Sequence, residues 1–192
     1  MGLFDPRVRV LGGAMPRPAL VVVDVQERLF AAMEAERREE MIANIKILCA
    51  AAARLGVPIL LTEQYPKGLA HTLPELRALL EGVDALEKTA FSCCEAPGFV
   101  ERLRTLGADR VILTGLEAHV CVLLTARDLL DLGFRVSVVA DAVCSRRRAN
   151  YDLGLAEARD AGAVVTATET VVFQWLGRAD TEFFRDIAKL LR

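Results

Sequence analysis

The stretch RVILTGLEAHVCVLLTARDLL, residues 110–130, decides the fold. Val111 to Thr114 is typical of a buried strand, Gly115 indicates a turn, and the apolar residues that follow have helical spacing. Cys121 then falls in the first turn of the predicted helix, where the positive end of the helix dipole and unpaired backbone N–H groups favour a thiolate. The stretch therefore predicts a reactive thiol at one edge of a sheet.

Further strands and helices alternate on both sides of this stretch. The other predicted strands are Ala19 to Asp24, Val57 to Glu63, Val83 to Lys88, Phe134 to Asp141 and Ala163 to Thr168. Helices are predicted at Arg38 to Leu55, Gly98 to Leu106, Ser145 to about Arg159, and near the C-terminus with a break at Gly177. Such alternation predicts right-handed βαβ units and an α/β fold with a three-layer, doubly wound, mainly parallel six-stranded sheet. We expect one domain over residues 1–192, with residues 1–18 as an irregular N-terminal arm.

Composition and charge narrow the possible partners. The chain has 192 residues, of which 53% are hydrophobic, and a formal net charge of −2 without a basic block. These values argue against nucleic-acid binding and a polybasic membrane anchor, and the N-terminus lacks the pattern of a secretory signal. We expect a cytoplasmic protein that binds a small-molecule substrate, with no nucleic-acid or membrane partner. The five cysteines are expected to be mostly free thiols, and the adjacent Cys93 and Cys94 are interpreted as bystanders.

Three reactive side chains fall at the carboxyl ends of predicted strands. Asp24 follows the first strand, Lys88 ends the third, and Cys121 lies just past the fourth. In an open parallel sheet, ligands bind at this edge, near the point where the strand order reverses. Each residue also has a simpler interpretation, as a helix cap, a solvated charge and a core thiol respectively. Their coincidence at one edge favours a functional site.

The chemistry of these side chains is complementary. A thiol needs a base to take its proton and a positive field to hold the thiolate, and a carboxylate beside an ammonium supplies both. The turn from Gly115 to Ala118 would present backbone N–H groups to a tetrahedral oxyanion. This combination predicts acyl transfer. No G-x-G-x-x-G follows the first strand, so a dinucleotide is disfavoured, and no cofactor is expected.

Four motifs together resemble a known family. ALVVVDVQERLF, EKTAFS, LTGLEAHVCV and VADAVCSRR, in this order and at this spacing, resemble the isochorismatase-like cysteine hydrolases. The resemblance runs from Ala19 to the C-terminus, and TEQYPKGL and GLEAHVC are most similar to the subgroup called isochorismatase-domain-containing proteins. It implies an isochorismatase-like hydrolase domain.

The resemblance also implies a role for each motif residue. Asp24 would be the general base, Lys88 the cation that stabilises thiolate and intermediate, and Cys121 the nucleophile. The family has a cis peptide that here would join Leu116 and Glu117, and the backbone N–H groups of Glu117 and Cys121 would form the oxyanion hole. Self-association is common in the family, and the apolar C-terminal segment FFRDIAKLLR agrees with a homo-oligomer.

Departures from the family's nicotinamidases narrow the expected activity. Those enzymes bind a metal through an Asp-x-His and a later His, whereas here the corresponding place reads Thr62-Glu63-Gln64-Tyr65, with only His71 nearby. One His and a Glu do not form the ligand cluster that zinc prefers, so we expect no metal. Isochorismate hydrolysis cleaves a vinyl ether and needs no thiol. The intact Asp, Lys and Cys therefore indicate a metal-independent cysteine hydrolase, an amidohydrolase that cleaves a small amide or related acyl compound through a thioester.

Three alternatives stay open at this point. They are an isochorismate-type vinyl ether hydrolase, a catalytically idle relative that binds a metabolite or a protein partner, and a thiol redox sensor. Candidate substrate-binding residues follow the first three predicted strands or precede the thiol. They are Gln26, Phe30, Glu63, Gln64, Tyr65, Phe91 and His119. Gln26 and Phe30 could instead brace a loop, Phe91 could belong to the core, and His119 is expected to be structural or pocket-lining since residues two apart on a helix do not face each other.

Overall fold

A computed structural model describes residues 17–191 of the chain, and within it six strands form one parallel sheet. The strands are β1 (Pro18–Val23), β2 (Ile59–Gln64), β3 (Ala85–Lys88), β4 (Arg110–Leu116), β5 (Arg135–Cys144) and β6 (Val164–Thr166). Their order is β3-β2-β1-β4-β5-β6, and every pair is parallel. The predicted α/β, doubly wound sheet is therefore confirmed.

Helices cover both faces of this sheet. The helices are α1 (Glu27–Ala31), α2 (Ala35–Leu55), α3 (Pro66–Leu69), α4 (Pro74–Leu79), α5 (Phe99–Thr105), α6 (Leu123–Asp131), α7 (Arg148–Asp160), α8 (Thr168–Leu176) and α9 (Phe184–Ala188). Alternate residues of β1 point into two apolar cores: Val21 packs with α5, α6 and α7, and Val22 with α2, α4, α8 and α9. Burial on both faces explains why the first strand is a continuous run of apolar residues.

The strand order creates a switch point between β1 and β4. The chain builds β1, β2 and β3 outward in one direction, then returns to place β4 on the other side of β1. In the register of the sheet, Val23 pairs with Thr62 of β2 and with Gly115 of β4. The carboxyl ends of three strands thus meet where open α/β sheets bind ligands.

Gly115 is a strand residue and does not form the predicted turn. It lies inside β4 with a φ of 102°, and a Cβ there would be 2.1 Å from the Val23 carbonyl oxygen. Only glycine allows both this backbone conformation and this close approach of β1. The chain turns later, through a π-helical turn at Ala118–Val122 that precedes α6 and contains Cys121.

Two other boundaries differ from the prediction. The predicted arm at residues 1–18 falls mainly on residues 1–16, which lie outside the described residues, and Pro18 already belongs to β1. The strand β5 continues to Cys144, and α7 begins at Arg148, so Ser145 does not cap it. Among residues 17–191, none of the helices combines the length and apolar character needed to cross a membrane.

Candidate active site

Asp24 follows β1 and is fully buried at the switch point. Its backbone has a φ of 51°, which few residues other than glycine adopt and which is concentrated at functional sites. Thr62 donates a hydrogen bond from Oγ1 to Asp24 Oδ1 at 2.7 Å, and Lys88 donates from Nζ to Oδ2 at 2.7 Å. Each carboxylate oxygen is therefore held by a donor from a different strand, β2 or β3.

The Lys88 ammonium, at the end of β3, is surrounded by acceptors of the protein. Besides Asp24, it donates to Gln64 Oε1 at 2.5 Å and to the carbonyl oxygens of Ala90 at 3.3 Å and Phe91 at 3.1 Å. An ammonium has three protons, so these contacts occupy all of them. Burial lowers the pKa of Lys88, but the charge of Asp24 and the neighbouring thiols outweigh it, so the pKa is raised overall. Lys88 is therefore a fixed positive charge.

Cys121 lies in the π-helical turn with 5% of its surface exposed. Burial raises the pKa of the Cys121 thiol to about 12, and the charge of Asp24 adds to this effect while Lys88 opposes it. The expected stabilisation of a thiolate is absent from the resting site, because desolvation and the carboxylate outweigh the ammonium. At neutral pH the sulfur carries its proton and needs a base to lose it.

The backbone that leads into the π-helical turn contains the expected cis peptide, at Leu116–Glu117. Within residues 17–191, no acceptor takes a hydrogen bond from the Glu117 N–H. The Glu117 side chain is buried, and its carboxylate accepts from the Arg146 backbone N–H at 3.0 Å and from Arg146 Nε at 3.1 and 3.2 Å. The segment after β5 therefore anchors the Glu117 side chain, while the Glu117 N–H has no partner among residues 17–191.

The side chains of Gln26 and Gln64 interlock beside the charged pair. Gln26 Nε2 donates to the carbonyl oxygens of Gln64 at 3.0 Å and Ala70 at 2.6 Å, and its Oε1 accepts from the Gln64 N–H at 2.7 Å. Gln64 Oε1 accepts a hydrogen bond from Lys88 Nζ, and Gln64 Nε2 donates one to the Thr89 carbonyl oxygen. Every amide group of the two side chains has a partner within the protein. This arrangement favours bracing over the substrate contact that we predicted for them.

Glu63, at the end of β2, is likewise engaged within the protein. Its Oε1 accepts from the Thr72 N–H and Oγ1, both at 2.7 Å, and its Oε2 pairs with His71 Nδ1 at 2.9 Å. In the part of the chain that the structure describes, no group of three His, Cys, Asp or Glu side chains could hold a metal ion. The residues at the nicotinamidase metal position therefore do not fit a metal, and Glu63 fixes the loop before α4.

The three aromatic candidates occupy different environments. Phe30 is half-buried and packs against the core beside α2. Tyr65 and Phe91 are 53% and 57% exposed, so the core interpretation of Phe91 is wrong. Both flank Lys88: the Tyr65 N–H donates to the Lys88 carbonyl at 2.8 Å, and the Phe91 carbonyl accepts from Lys88 Nζ. These two rings are free to contact a ligand.

The ring nitrogens of His119 contact residues from the β5–α7 region. Nδ1 lies 2.9 Å from Ser145 Oγ, and Asn150 Nδ2 lies 3.2 Å from Nε2. If the Asn150 amide donates, Nε2 is the acceptor and Nδ1 carries the proton. A Cβ on Gly154 would be 2.7 Å from His119 Cα, which shows how closely α7 packs here. These contacts favour the structural interpretation of His119 over the pocket-lining one.

Two buried residues were not predicted as part of the site. Thr62 contacts Asp24, as described, and Cys93 Sγ lies 3.6 Å from Thr62 Oγ1. The sequence does offer a signal for Thr62, because a hydroxyl in a strand buried on both faces needs a partner. Cys93 offers none, since it follows β3 in a short 3₁₀ turn, Cys93–Glu95, whose position depends on the fold.

Comparisons with known proteins agree with this architecture. A family model described as the isochorismatase domain matches residues 18–170. Isochorismatase domain-containing protein 2 of Homo sapiens is 38% identical over 188 residues, which cover 93% of this chain and 90% of that protein.

Solved structures give the same result. A protein from Caenorhabditis elegans, solved under the name MAR1 ribonuclease, is 37% identical with a TM-score of 0.86, and the match covers 93% of this chain and 92% of that one. A nicotinamidase from Staphylococcus aureus is 22% identical with a TM-score of 0.71, covering 79% of this chain and 98% of that one, and supports the fold alone.

Proposed function

The chain belongs to the isochorismatase family, and from its site we propose that it is a cysteine hydrolase that cleaves a small amide or related acyl compound. The observation that carries the proposal is the buried Lys88–Asp24 pair, 2.7 Å from nitrogen to oxygen, beside the protonated thiol of Cys121. A buried carboxylate that is paired with an ammonium and lies next to a thiol is the arrangement that general-base activation requires.

The first half of the reaction forms a thioester. As Cys121 Sγ bonds to the substrate carbonyl carbon, its proton moves to Asp24 and the carbonyl electrons move to oxygen. The N–H groups of Glu117 and Cys121 would hold this oxyanion, a role supported by the Glu117 N–H that no described residue accepts. When the intermediate collapses, the carbon–nitrogen bond breaks and the amine leaves with the proton from Asp24.

The second half releases the acid. Asp24 takes a proton from water as the water oxygen attacks the thioester, and collapse expels Cys121, which regains the proton from Asp24. Because its protons are occupied by the protein, Lys88 would act throughout by its charge and by fixing Asp24 rather than by donating to substrate.

We propose that this reaction proceeds without a metal. The proposal is supported by the side chains at the corresponding place, since both carboxylate oxygens of Glu63 already bond to His71 and Thr72. Tyr65 and Phe91, whose side chains are exposed and whose backbone groups contact Lys88, are then the candidates for contact with the substrate.

A turnover screen tests the proposal. Small amides and ureas are incubated with the wild-type chain and with Cys121→Ala, and released amine is measured. We expect turnover only in the wild type, and full turnover by Cys121→Ala would refute the mechanism. Cys49→Ala is the matched control, because burial alone raises the pKa of Cys49 to about 12 and no catalytic role is proposed for it.

The same screen separates the other substrate classes. RNA is included because of the name of the C. elegans protein, and a vinyl ether substrate because of the family name. Cleavage of either by Cys121→Ala at the wild-type rate, with no amide turned over, would reassign the activity. A site that hydrolyses none of them and whose Cys121 reacts with a thiol-directed electrophile no faster than Cys49 would indicate a binding protein.

Self-association remains a prediction, and the argument from the C-terminal segment is weaker than the sequence suggests. The helix α9 buries Ile187 in the core of its own chain, and Phe183 and Phe184 pack against the same core. The apolar C-terminal segment is thus used within the chain. Light scattering at micromolar concentration is the test, and a mass of one chain would contradict a homo-oligomer.

A further inference from the structure

Thr62 has the closest contact with the proposed base of any residue without an assigned role. Its hydroxyl is fully buried and lies 2.7 Å from Asp24 Oδ1, on the side of the carboxylate opposite to Lys88. Thr62 Oγ1 is the donor of this hydrogen bond, and the carboxylate oxygen is the acceptor. The direction of this hydrogen bond is therefore fixed by chemistry.

The direction of the next hydrogen bond follows. Cys93 Sγ lies 3.6 Å from Thr62 Oγ1. Because the Thr62 hydroxyl proton is already donated to Asp24, the thiol is the donor of this second bond and the hydroxyl is its acceptor. Burial raises the pKa of Cys93 to about 12, so the thiol keeps the proton that it donates. The Cys93 N–H is separately anchored by Thr125 Oγ1 at 2.8 Å.

We propose that Thr62 is a positioning residue that holds Asp24 ionised and oriented toward Cys121, and that Cys93 supports it through a Cys93–Thr62–Asp24 hydrogen-bond chain. This inference rests on the proposed role of Asp24 as the base. The titratable groups that face Asp24 are Lys88 from β3, Cys93 from the 3₁₀ turn and Cys121 from the π-helical turn. Thr62 is the neutral donor that completes this set.

The chain predicts a particular pH dependence of Cys121 reactivity. When a base can take the proton of a thiol, the form with protonated base and thiolate is a constant fraction of the protein between the pKa of the base beside the neutral thiol and its higher pKa beside the thiolate, and this fraction falls below that range. Alkylation of wild-type Cys121 should therefore show an acid limb set by Asp24, then a plateau, and a rise of about tenfold per pH unit only above the plateau. With Asp24→Asn, the rate should instead rise about tenfold per pH unit, as for an isolated thiol.

Thr62→Val removes the hydroxyl at nearly constant volume. Loss of a hydrogen bond to the charged form raises the proton affinity of Asp24, so the acid limb should move up by about one to two pH units. The same change favours transfer of the thiol proton to Asp24, so the plateau should rise by the same factor, about 10- to 100-fold. Thr62→Ser should restore the wild-type profile, and Cys93→Ala should shift it in the same direction by less.

The experiment measures iodoacetamide labelling of Cys121 in the full chain from pH 4.5 to 9, with peptide mass spectrometry to separate the five cysteines. A wild-type profile that matches Asp24→Asn would overturn the proposed base. A wild-type plateau that depends on Asp24, with an unchanged limb in Thr62→Val, would overturn the role of Thr62 alone. If Thr62→Val does not fold, Cys93→Ala decides, and an unshifted limb there contradicts the chain.

Discussion

The two sides of the sheet's carboxyl edge are built differently. On the side of β1, β2 and β3, which we name the charged side, Asp24, Lys88, Gln26 and Gln64 are held by protein partners. On the side of β4 and β5, the thiol side, the Glu117 N–H has no acceptor among the described residues and Cys121 keeps its proton.

This difference indicates that the two sides have different roles in the proposed reaction. The charged side is rigid and complete before any substrate arrives, since charges that are fixed in advance need no reorganisation during reaction. The thiol side presents the groups that change partners. Both sides contain unusual backbone: the non-glycine residues with positive φ that the structure describes, Asp24, Tyr65 and Ala70, lie on the charged side, and the cis peptide Leu116–Glu117 lies on the thiol side.

The largest expected effect is at the junction of the two sides. Gly115→Ala would place a Cβ 2.1 Å from the Val23 carbonyl at a φ of 102°, and should lower the free energy of unfolding by about 4 kcal/mol or more. Gly162→Ala is the matched control, because its φ is 107° but nothing lies within 4 Å, and it should cost only about 1–3 kcal/mol. Urea denaturation checks both. Equal losses would mean that β1 and β4 do not need this close approach.

The next largest effect is expected when the Lys88–Asp24 ion pair of the charged side is disrupted. Lys88→Met leaves the Asp24 charge buried without its cation, and should destabilise the fold by about 3–5 kcal/mol. Adding Asp24→Asn removes the uncompensated charge and should recover part of the loss. Denaturation of the two single variants and the double variant gives the coupling energy. Strictly additive losses would show that the pair is not coupled, contrary to the 2.7 Å contact.

A smaller effect is expected from the ion pair on the thiol side. Glu117→Gln removes the charge that pairs with Arg146, whose side chain is 59% exposed and therefore screened by water, so the loss should be about 1 kcal/mol. Added salt should weaken the wild type toward the variant. A loss as large as that of Lys88→Met would remove the contrast between the two sides.

The sequence predicts the fold and the meeting of Asp24, Lys88 and Cys121 for one reason. Parallel strands can be recognised from β-branched runs, and their carboxyl ends share an edge, so residues that follow them must approach each other. Asp24 and Lys88 lie 2.7 Å apart as a result. This inference needs only the ends of the strands.

The details of the site depend on distances that sequence patterns do not contain. The charge state of Cys121 follows from its burial and from Asp24, and the helix position alone predicts the opposite sign. The bracing role of Gln26 depends on its hydrogen bond to the carbonyl oxygen of Ala70, a loop residue whose backbone has a φ of 62°. The position of Gly115 inside β4 depends on how closely β1 approaches. Each of these is a tertiary contact between segments far apart in the chain.

The smallest effect concerns the loop that borders the charged side, where His71 Nδ1 pairs with Glu63 Oε2 at 2.9 Å. The Glu63 hydrogen bond and charge raise the pKa of His71. Burial acts to raise the pKa of Glu63, but hydrogen bonds from Thr72 and His71 outweigh it and the pKa is lowered. A raised His pKa adds stability that is complete below its unfolded value of about 6.5 and is lost as pH rises through the folded value. A lowered Glu pKa adds stability above about 4.3 that is lost as pH falls through the folded value.

The ion pair should therefore stabilise the loop most between about pH 4.5 and 6.5. The difference in urea midpoint between wild type and His71→Gln should be largest near pH 5.5 and should vanish by about pH 9. Because the His71 side chain is 73% exposed, the difference should also shrink in high salt. Arg127→Gln, which removes an exposed ion pair with Glu157 between α6 and α7, is the control and should show no such maximum. A difference that stays constant from pH 5.5 to 9 would mean that His71 holds the loop by packing and not by its charge. The His71–Glu63 pair would then not belong to the charged side.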